Sequence, residues 1–368
     1  MIAAAMQLLF YVLLFARLAF YKAKHYSNES DDAPAVSVVI CSRNDAANLE
    51  KALKLILIQL YKKFEVVVVN DRSTDNTLEV VAHFATRTDN VRVFTIPAGS
   101  HDGGKKEALK LGVAQARNQL IVVTDADCRP SSTHWLNDMV ASYFSESEMV
   151  LGYAPFYPRP TLLNRLQRYE NVMTAMQYFS FALSGMPYMG VGRNLSFRKD
   201  VFLNWAGTKR ISGKIAGGDD DLFVNAVASG KKTEICLTKD SFVYSELPAT
   251  WNDWMIQKRR HIRAGFYYRT IHRLLLFFFA LSKFLFYTLL PVLCIKSAMQ
   301  PFALAIAVVT MLFLWFISFK IHKKLHQTGL SAWFIPLDPA YALYLMAIFF
   351  LTSATRKDPW KEHNPQQR

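Results

Sequence analysis

Two kinds of hydrophobic pattern divide this chain. Long apolar runs lie near both ends, whereas the middle carries short apolar runs separated by helical patterns. This arrangement predicts a transmembrane anchor over residues 1–24, a globular domain over 33–265, and a C-terminal membrane region over 266–355 with two or three transmembrane helices. A basic tail, 356–368, completes the predicted organisation.

The N-terminal run, residues 2–20, is apolar except for Gln7 and Arg17. A secretory signal peptide carries positive charge before its apolar stretch, but here Arg17, Lys22 and Lys24 follow the stretch. The positive-inside rule therefore predicts an anchor whose N-terminus lies outside and whose following domain lies in the cytosol. The alternative is a buried core helix.

Two further apolar runs, 274–295 and 301–319, predict a pair of transmembrane helices. The first contains one charge, Lys283, which costs about 2.5–3.5 kcal/mol at the centre of a span and can be outweighed by its apolar neighbours. The second has no charge and precedes the basic sequence KIHKKLH (320–326). We therefore expect a helical hairpin with this basic loop in the cytosol.

A third C-terminal run, 332–353, is interrupted by Pro336, Asp338 and Pro339. A full crossing would place the basic residues of the tail outside, against the positive-inside rule. The sequence leaves three possibilities open: a full span, a span from about Ala340 onward, or a segment lying in the membrane interface.

Four short apolar runs in the middle of the chain predict the strands of a parallel sheet. They are rich in Val and Ile and lack strict alternation, as is typical of strands buried on both faces. The runs are VSVVIC (36–41), EVVVVN (65–70), VRVFT (91–95) and LIVVT (120–124), and helical patterns cover Ala46–Leu60, Thr77–Phe84 and Lys105–Arg117. The alternation predicts an α/β fold with a doubly wound, mostly parallel sheet.

Polar residues follow three of these strands. In such sheets ligands bind beyond the carboxyl ends of the strands, so polar ends that converge predict a site. The candidates are Ser42, Arg43 and Asn44 after the first run, Asn70 and Asp71 after the second, and Thr124, Asp125 and Asp127 after the fourth.

Asp125 and Asp127 are carboxylates one residue apart and would repel each other without a cation between them. One interpretation is a turn, where aspartate is common. The other is a divalent metal that bridges the carboxylates to a diphosphate. Lys105 and Lys106 begin a helical pattern, where lysine and amide groups suit a phosphate; a solvated surface is the alternative for one of these two lysines.

The chain of 368 residues has a formal net charge of +14, so nucleic acid, anionic lipid and a phosphorylated substrate are candidate partners. Much of the excess flanks apolar runs, as in 17–24 and 320–326, and no nucleic-acid recognition motif is evident. We therefore expect membrane lipid and no nucleic acid. The four cysteines show neither metal-ligand spacing nor a disulfide framework, which suits a cytosolic domain.

An ordered series of motifs over residues 33–265 resembles the family 2 glycosyltransferases. The motifs are VSVVICSRNDAANL (36–49), VVVVNDRSTDNT (66–77), GKKEALKLGVAQA (104–116), VTDADC (123–128), MGVGRNLSFRKDVF (189–202), GGDDDLF (217–223) and QKRRH (257–261). Each is weak alone, and the series in this order is specific. The resemblance implies the A-type nucleotide-sugar-binding fold, a UDP- or GDP-linked sugar donor, and Mg²⁺ or Mn²⁺ as cofactor.

The resemblance also implies roles for the residues at the strand ends. Asp71 would hold the base of the nucleotide, Asp125 would contact the sugar-nucleotide, and Asp127 would ligate the metal. The full donor-binding set is Ser42, Arg43, Asn44, Asp71, Lys105 and Asp125.

The family inverts the anomeric carbon, so a carboxylate must deprotonate the acceptor hydroxyl. Matching the family pattern places this base at Asp220, with Asp219 as its catalytic neighbour. Because Asp221 follows directly, the register could slip by one. Asn194 would lie near the sugar and the acceptor.

The sequence QKRRH departs from the family pattern at one position. Processive members usually carry Gln-x-x-Arg-Trp; Gln257 and Arg260 match, but His261 replaces the tryptophan. Arg260 could still pair with the diphosphate, whereas the loss of the tryptophan favours one or a few additions over a long polymer.

Together these features predict a multi-pass protein of the cell (inner) membrane with a cytoplasmic, inverting, metal-dependent glycosyltransferase domain. Its acceptor would be a lipid-linked or membrane-proximal glycan hydroxyl. The alternatives are a processive polysaccharide synthase and a non-catalytic membrane component that binds nucleotide sugars. One further pattern, residues 161–179, predicts a helix that either packs in a core or lies in the membrane interface.

Overall fold

The computed structural model describes residues 1–23, 33–97, 104–207, 219–295 and 301–354. The described residues form these strands: β1 Val36–Ser42, β2 Phe64–Asp71, β3 Val91–Ile96, β4 Leu120–Asp125, β5 Arg129–Pro130, β6 Met149–Leu151, β7 Leu195–Arg198, β8 Thr233–Ile235 and β9 Val243–Tyr244.

The α-helices are α1 Ile2–Phe10, α2 Ala16–Ala19, α3 Ala46–Leu57, α4 Thr77–Ala85, α5 Lys105–Gln115, α6 Trp135–Ala141, α7 Leu162–Leu183, α8 Lys199–Ala206, α9 Asp219–Val227, α10 Trp251–Gly265, α11 Thr270–Ile295, α12 Pro301–Lys324, α13 Thr328–Ser331 and α14 Phe334–Ala354. A π-helical segment, Tyr11–Phe15, joins α1 to α2, and a single 3₁₀ turn covers Lys239–Ser241.

The chain divides into two compact units. The sheet unit contains residues 23–157 and 185–246, and the helical unit contains 1–22, 158–184 and 247–368. This division places α7 and α10 with the apolar helices, whereas the sequence places both within a domain over 33–265.

The sheet unit is built on a seven-stranded sheet in the order β3-β2-β1-β4-β7-β6-β8. The four predicted strands run parallel to one another, while β7 is antiparallel to both β4 and β6. The three predicted helices between the strands are present, with ends that differ from the prediction by a few residues. The predicted α/β fold with a mostly parallel sheet is therefore confirmed.

Both faces of the sheet are covered by helices, which explains the continuous runs of valine. Val38 and Val68 lie in one core cluster with Leu53 of α3 and Trp135 of α6. On the other face α5 lies so close that a Cβ atom at Gly112 would be 2.5 Å from Cγ1 of Val39. Strands buried on both faces need no polar alternation, and a glycine allows the helix to pack closely.

A buried carboxylate, Glu65, links several elements at the edge of the sheet where the parallel strands begin. Glu65 Oε1 accepts hydrogen bonds from Ser37 Oγ at 2.7 Å and from the Arg117 amide at 2.6 Å, and Oε2 lies 3.1 Å from Arg92 Nη1. Burial by itself raises the pKa of Glu65, but these hydrogen bonds outweigh it and the net shift is downward. The carboxylate therefore stays ionised and connects β1, β2, β3 and the end of α5.

Within its described residues, the helical unit contains four segments that are long and apolar enough to cross a membrane: Ile2–Ala19, Thr270–Ile295, Pro301–Lys324 and Phe334–Ala354. The first three correspond to the predicted spans. The fourth covers the run that the sequence left open, and its helix continues through Pro339. A membrane location therefore agrees with the length and composition of these helices.

An ion pair joins two of these helices. Lys283 Nζ of α11 lies 2.7 Å from Asp338 Oδ1 of α14, and both side chains are buried. The Tyr169 and Tyr287 hydroxyls donate to the same carboxylate at 2.6 and 2.5 Å. A paired, hydrogen-bonded charge costs much less to bury than an isolated one. Lys283 and Asp338, which each interrupt an apolar run, therefore neutralise each other.

Helix α7 packs in the core of the helical unit. Side chains from Leu163 to Ala182 are buried around most of its circumference, including Tyr169, Glu170 and Met173. Of the two possibilities for this segment, core packing agrees with its burial in the structure.

Candidate active site

The carboxyl ends of β1, β2 and β4 meet at one edge of the sheet. The register pairs Ser42 with Asn70, and Cys41 with Asp125. The polar residues that follow these three strands are therefore neighbours, as the sequence predicts. Asp71 and Ser42 are buried there, and Arg43 is half-buried.

Two non-glycine residues with positive φ shape the loops at this edge. Asn44, after β1, has φ 51°, and Arg72, after β2, has φ 54°. Asn44 Oδ1 accepts a hydrogen bond from the Thr74 amide at 2.7 Å, and the Asn44 amide donates to Ser73 Oγ at 3.0 Å. Such conformations are uncommon outside glycine and concentrate at functional sites, and here mutual hydrogen bonds fix the two loops together.

The buried residues at this edge include a charged side chain and a hydroxyl group. Asp71 Oδ1 accepts from Arg72 Nε at 2.8 Å. Ser42 Oγ is buried and finds no hydrogen-bond partner among the described residues. A buried hydroxyl usually has a partner, so Ser42 is suited to bind a polar group from a ligand.

The aspartate pair follows β4 directly. Ligand atoms of Asp125, Asp127 and the Cys128 thiol all lie within 4.8 Å of one another. Lys105 Nζ lies 2.6 Å from Asp125 Oδ1. The cation that pairs with Asp125 in this structure is therefore a lysine from the start of α5.

Carboxylate oxygens are the ligands that Mg²⁺ and Mn²⁺ prefer, whereas thiols suit softer metals. Burial raises the pKa of the Cys128 thiol, and the two neighbouring carboxylates raise it further. The donor set of Asp127 and Asp125 thus fits a hard divalent ion, and the protonated thiol of Cys128 adds no ligand.

The charged groups around Asp127 shift its pKa in opposite directions. Burial raises the pKa of Asp127, and the adjacent Asp125 carboxylate raises it further, while Arg193 and Lys105 lower it. A group held in this balance responds strongly to an added positive charge. Repulsion between the two carboxylates therefore favours a cation beside them.

Lys105 also interacts with a third carboxylate. Against the desolvation of its ammonium group, Asp125 and Asp220 raise the pKa of Lys105 above its ordinary value. Lys105 therefore stays protonated between the aspartate pair and the first turn of α9. This position suits a group that neutralises a phosphate.

Asp220 is fixed by the backbone of the loop before β7. Its Oδ2 accepts a hydrogen bond from the Gly192 amide at 2.5 Å. A Cβ atom at Gly192 would lie 2.8 Å from the same oxygen, so only glycine allows this approach. Asp221 is buried; Asp219 begins α9, but its side chain lies outside the described set.

We expect Gly192→Ala to lower catalytic turnover by more than tenfold, because the new methyl group must displace the Asp220 carboxylate, and small misplacements of a catalytic group can cost about a hundredfold. The matched control is Gly207→Ala, where the nearest atom would be 3.5 Å away. The measurement is the initial rate of donor consumption for both variants. Equal rates for the two would contradict the positioning role of Gly192.

The structure adds one residue that the sequence did not single out. Arg193 Nη1 donates to Ser245 Oγ at 2.6 Å, and its guanidinium lies 4.2 Å from the centre of the Phe156 ring. Thr124 Oγ1 donates to the Arg193 carbonyl at 2.9 Å. Arg193 belongs to the site because it lowers the pKa of Asp127. In the sequence, its place in the motif GRN was the only signal that could have indicated this.

Asn194, the next residue, is fully buried. Its Oδ1 accepts from Trp135 Nε1 at 3.0 Å, and its Nδ2 donates to the carbonyls of Tyr153 and Ser241 at 2.9 and 2.8 Å. With its amide bonded in this way, Asn194 supports the loop that carries Arg193 in this structure. Contact with an acceptor sugar stays a prediction.

Gln257 and Arg260 lie on α10, in the helical unit. Their roles beside the diphosphate also stay predictions. Lys105, Asp125, Asp127 and Asp220 are the predicted residues that the sheet unit brings into one electrostatic cluster.

Comparison with known proteins agrees with this architecture. Residues 37–203 match the family model described as "Glycosyl transferase family 2". The probable glycosyltransferase YdaM of Bacillus subtilis is 24% identical over 263 residues, which are 68% of this chain and 60% of that protein. The beta-monoglucosyldiacylglycerol synthase of a Nostoc species is 30% identical over 118 residues, which are 31% of this chain and 25% of that protein.

A solved structure is similar over nearly the whole chain. The mannosyltransferase PcManGT from Pyrobaculum calidifontis, solved in complex with GDP-Man and Mn²⁺, has a TM-score of 0.62 and 18% identity, with 96% of each chain covered. At this identity the similarity shows the fold. This chain spans 60% or less of the length of the two curated relatives. The predicted family is confirmed for residues 37–203, and the A-type nucleotide-sugar-binding fold is confirmed by the similar structure.

Proposed function

Because residues 37–203 form a family 2 glycosyltransferase domain, we propose that this chain transfers a sugar from a nucleotide-diphosphate donor to a hydroxyl group at the membrane. The observation that carries the proposal is the cluster of Asp125, Asp127 and Asp220 around Lys105 at the carboxyl edge of the sheet. Three carboxylates and one lysine match the needs of a diphosphate donor, a metal ion and an acceptor hydroxyl.

The donor is assigned to the ends of β1, β2 and β4. Asp71 and Ser42 form the buried part of the nucleotide pocket, with Arg43 and Asn44 at its rim. Lys105 binds the diphosphate, so its contact with Asp125 opens when the donor enters. Asp127, with Asp125 beside it, would hold a divalent ion, which would supply positive charge to neutralise the leaving diphosphate.

Asp220 acts as the general base. It removes the proton of the acceptor hydroxyl as that oxygen forms a bond to the anomeric carbon of the donor sugar. The bond from this carbon to the diphosphate breaks, and the nucleoside diphosphate leaves with the electron pair. Attack opposite the leaving group inverts the anomeric carbon. The Gly192 amide holds the Asp220 carboxylate in place throughout.

The acceptor is proposed to be a lipid or a lipid-linked glycan. Four helices long and apolar enough to cross a membrane support a membrane-bound enzyme. One relative is, by its name, a synthase of a glucosyl-diacylglycerol, which supports a lipid hydroxyl. By the distribution of basic residues, the catalytic domain faces the cytoplasm of an inner membrane.

Cysteine labelling tests this orientation. In a background with serine at Cys41 and Cys294, an impermeant reagent added to intact cells should modify Ser297→Cys, which lies between α11 and α12, and should spare Lys323→Cys, at the basic end of α12. The reason is the positive-inside rule applied to the basic loop. Labelling at both positions, or only at position 323, would refute the hairpin.

A donor screen tests the function. Purified full chain is incubated with radiolabelled nucleotide sugars and a membrane lipid extract, and the product is extracted and sized. We expect one donor to label the lipid phase with one or a few sugars per acceptor, because imidazole at His261 offers a smaller stacking surface than tryptophan. Long polymer beside unused acceptor would instead favour the processive synthase, and binding without turnover would favour the non-catalytic component.

A further inference from the structure

A second concave site lies in the helical unit. The cavity has a volume of about 360 Å³, within the roughly 300–1,000 Å³ of small-molecule pockets. The segment before α7 lines it with Pro158, Arg159 and Pro160, α7 contributes Arg165 and Arg168, and Trp333 comes from the connection before α14. None of these residues belongs to the sheet unit that carries the catalytic cluster.

The charge of this arginine cavity has one sign. Of the eight residues that line it, all within the described part of the chain, three are arginines and none is acidic. Three guanidinium groups around one concavity concentrate positive charge there, and this charge attracts an anion. Guanidinium groups match phosphate geometry through paired hydrogen bonds.

Each of the three arginines makes a further contact within the helical unit. The Arg165 guanidinium lies 4.3 Å from the centre of the Trp333 ring. Arg168 Nη2 donates to Gln327 Oε1 at 2.6 Å, and the Arg159 amide donates to Asn164 Oδ1 at 2.8 Å. These contacts restrict the side chains of Arg165 and Arg168 and the backbone at Arg159 before any ligand binds, and such preorganisation lowers the entropic cost of binding.

The position of the cavity along the helices indicates its level relative to a lipid bilayer. Helix α12 ends at Lys324 and α14 begins at Phe334, so Trp333 lies where two membrane-length apolar helices end. Tryptophan is enriched at this level of a bilayer, and Lys323 and Lys324 add positive charge at the same end of α12. Basic pockets between helices at this level bind lipid headgroups.

We propose that the arginine cavity binds the phosphate headgroup of an anionic membrane lipid. The phosphate contacts the guanidinium groups of Arg159 and Arg165, with Arg168 behind them, and the acyl chains extend along the apolar helices. The site binds and performs no chemistry. It does not depend on the proposed glycosyl transfer, since lipid binding and turnover are measured separately.

The test measures binding of phosphatidylglycerol to the full chain, purified in a neutral detergent, by native mass spectrometry. The double variant Arg159→Gln/Arg165→Gln should bind this lipid about 10- to 100-fold more weakly, the range expected for loss of charge-assisted hydrogen bonds. The single variant Arg159→Gln, at an exposed position, should show a smaller loss in the same direction. Arg165→Lys should retain part of the affinity, because it keeps the charge.

Lys323→Gln is the matched control. Its side chain is exposed at the same end of α12 and does not line the cavity. A lysine near a membrane surface contributes about 1 kcal/mol, so its removal should weaken binding by no more than about fivefold. A loss equal to that of the double variant would overturn the proposal in favour of a diffuse basic surface.

Two further outcomes decide the source of the phosphate. Inorganic phosphate, added at matched ionic strength, should bind no better to the parent chain than to the double variant. If inorganic phosphate binds in an arginine-dependent manner and phosphatidylglycerol does not, the cavity is a site for soluble phosphate and the proposal fails. Unchanged lipid binding in a double variant that unfolds at the parent's temperature would also overturn it.

Discussion

Replacement of Asp220 by asparagine is expected to lower the rate of sugar transfer by roughly two to four orders of magnitude, the usual contribution of a general base. The amide has nearly the shape of the carboxylate, and its oxygen can still accept the hydrogen bond from the Gly192 amide, which lies 2.5 Å from Asp220 Oδ2. The fold and donor binding should therefore survive while the acceptor hydroxyl keeps its proton.

The measurement separates binding from turnover. Donor affinity of the Asp220→Asn variant is determined by calorimetry, and transfer is followed with saturating donor and acceptor. The neighbouring variants Asp219→Asn and Asp221→Asn serve as controls for the register of three consecutive aspartates. If one of these two is damaging while Asp220→Asn is mild, the base is assigned to the wrong residue.

Removal of the metal is expected to have an effect of similar size. Activity should disappear in excess chelator and return with Mg²⁺ or Mn²⁺, because the diphosphate leaves poorly without a neutralising charge. Asp127→Ala removes a proposed ligand. It should weaken metal-dependent donor binding by more than the roughly 10- to 100-fold cost of losing a group that only orients a ligand.

The control for Asp127→Ala is Asp89→Ala, which removes an exposed carboxylate from the same unit. Metal affinity is measured directly by the change of Mn²⁺ paramagnetic resonance on binding, and donor binding is measured with and without the ion. Full activity in excess chelator would contradict the metal assignment. It would leave Lys105 as the principal charge beside the diphosphate.

The strands and helices of the sheet unit could be predicted because their causes are local. A strand buried on both faces needs an unbroken apolar run, and Val66–Val69 is such a run. The helices between the strands carry their own periodicity. Parallel strands bring their carboxyl ends to one edge, so the proximity of Ser42 and Asp125 followed from topology.

Contacts between distant parts of the chain could not be predicted in the same way. Asp338 interrupts an apolar run, and only the fold reveals that Lys283, 55 positions earlier in the sequence, neutralises it. The contact of Lys105 with Asp125 likewise depends on how α5 packs. Arg193 and Asn194 are adjacent in sequence but differ in role, because the Arg193 guanidinium lies at Ser245 and Phe156 and lowers the pKa of Asp127, whereas Asn194 is buried in the core.

The proposed reaction is tested most directly by a double-label assay. The purified full chain is incubated with a donor whose sugar and nucleotide carry different radiolabels, together with the lipid acceptor found in the screen. Sugar label should enter the lipid phase in a one-to-one ratio with the release of nucleoside diphosphate, and both should stop in the Asp220→Asn variant. Nucleoside diphosphate release without lipid labelling, or transfer that persists in that variant, would contradict the proposed transfer to a membrane hydroxyl.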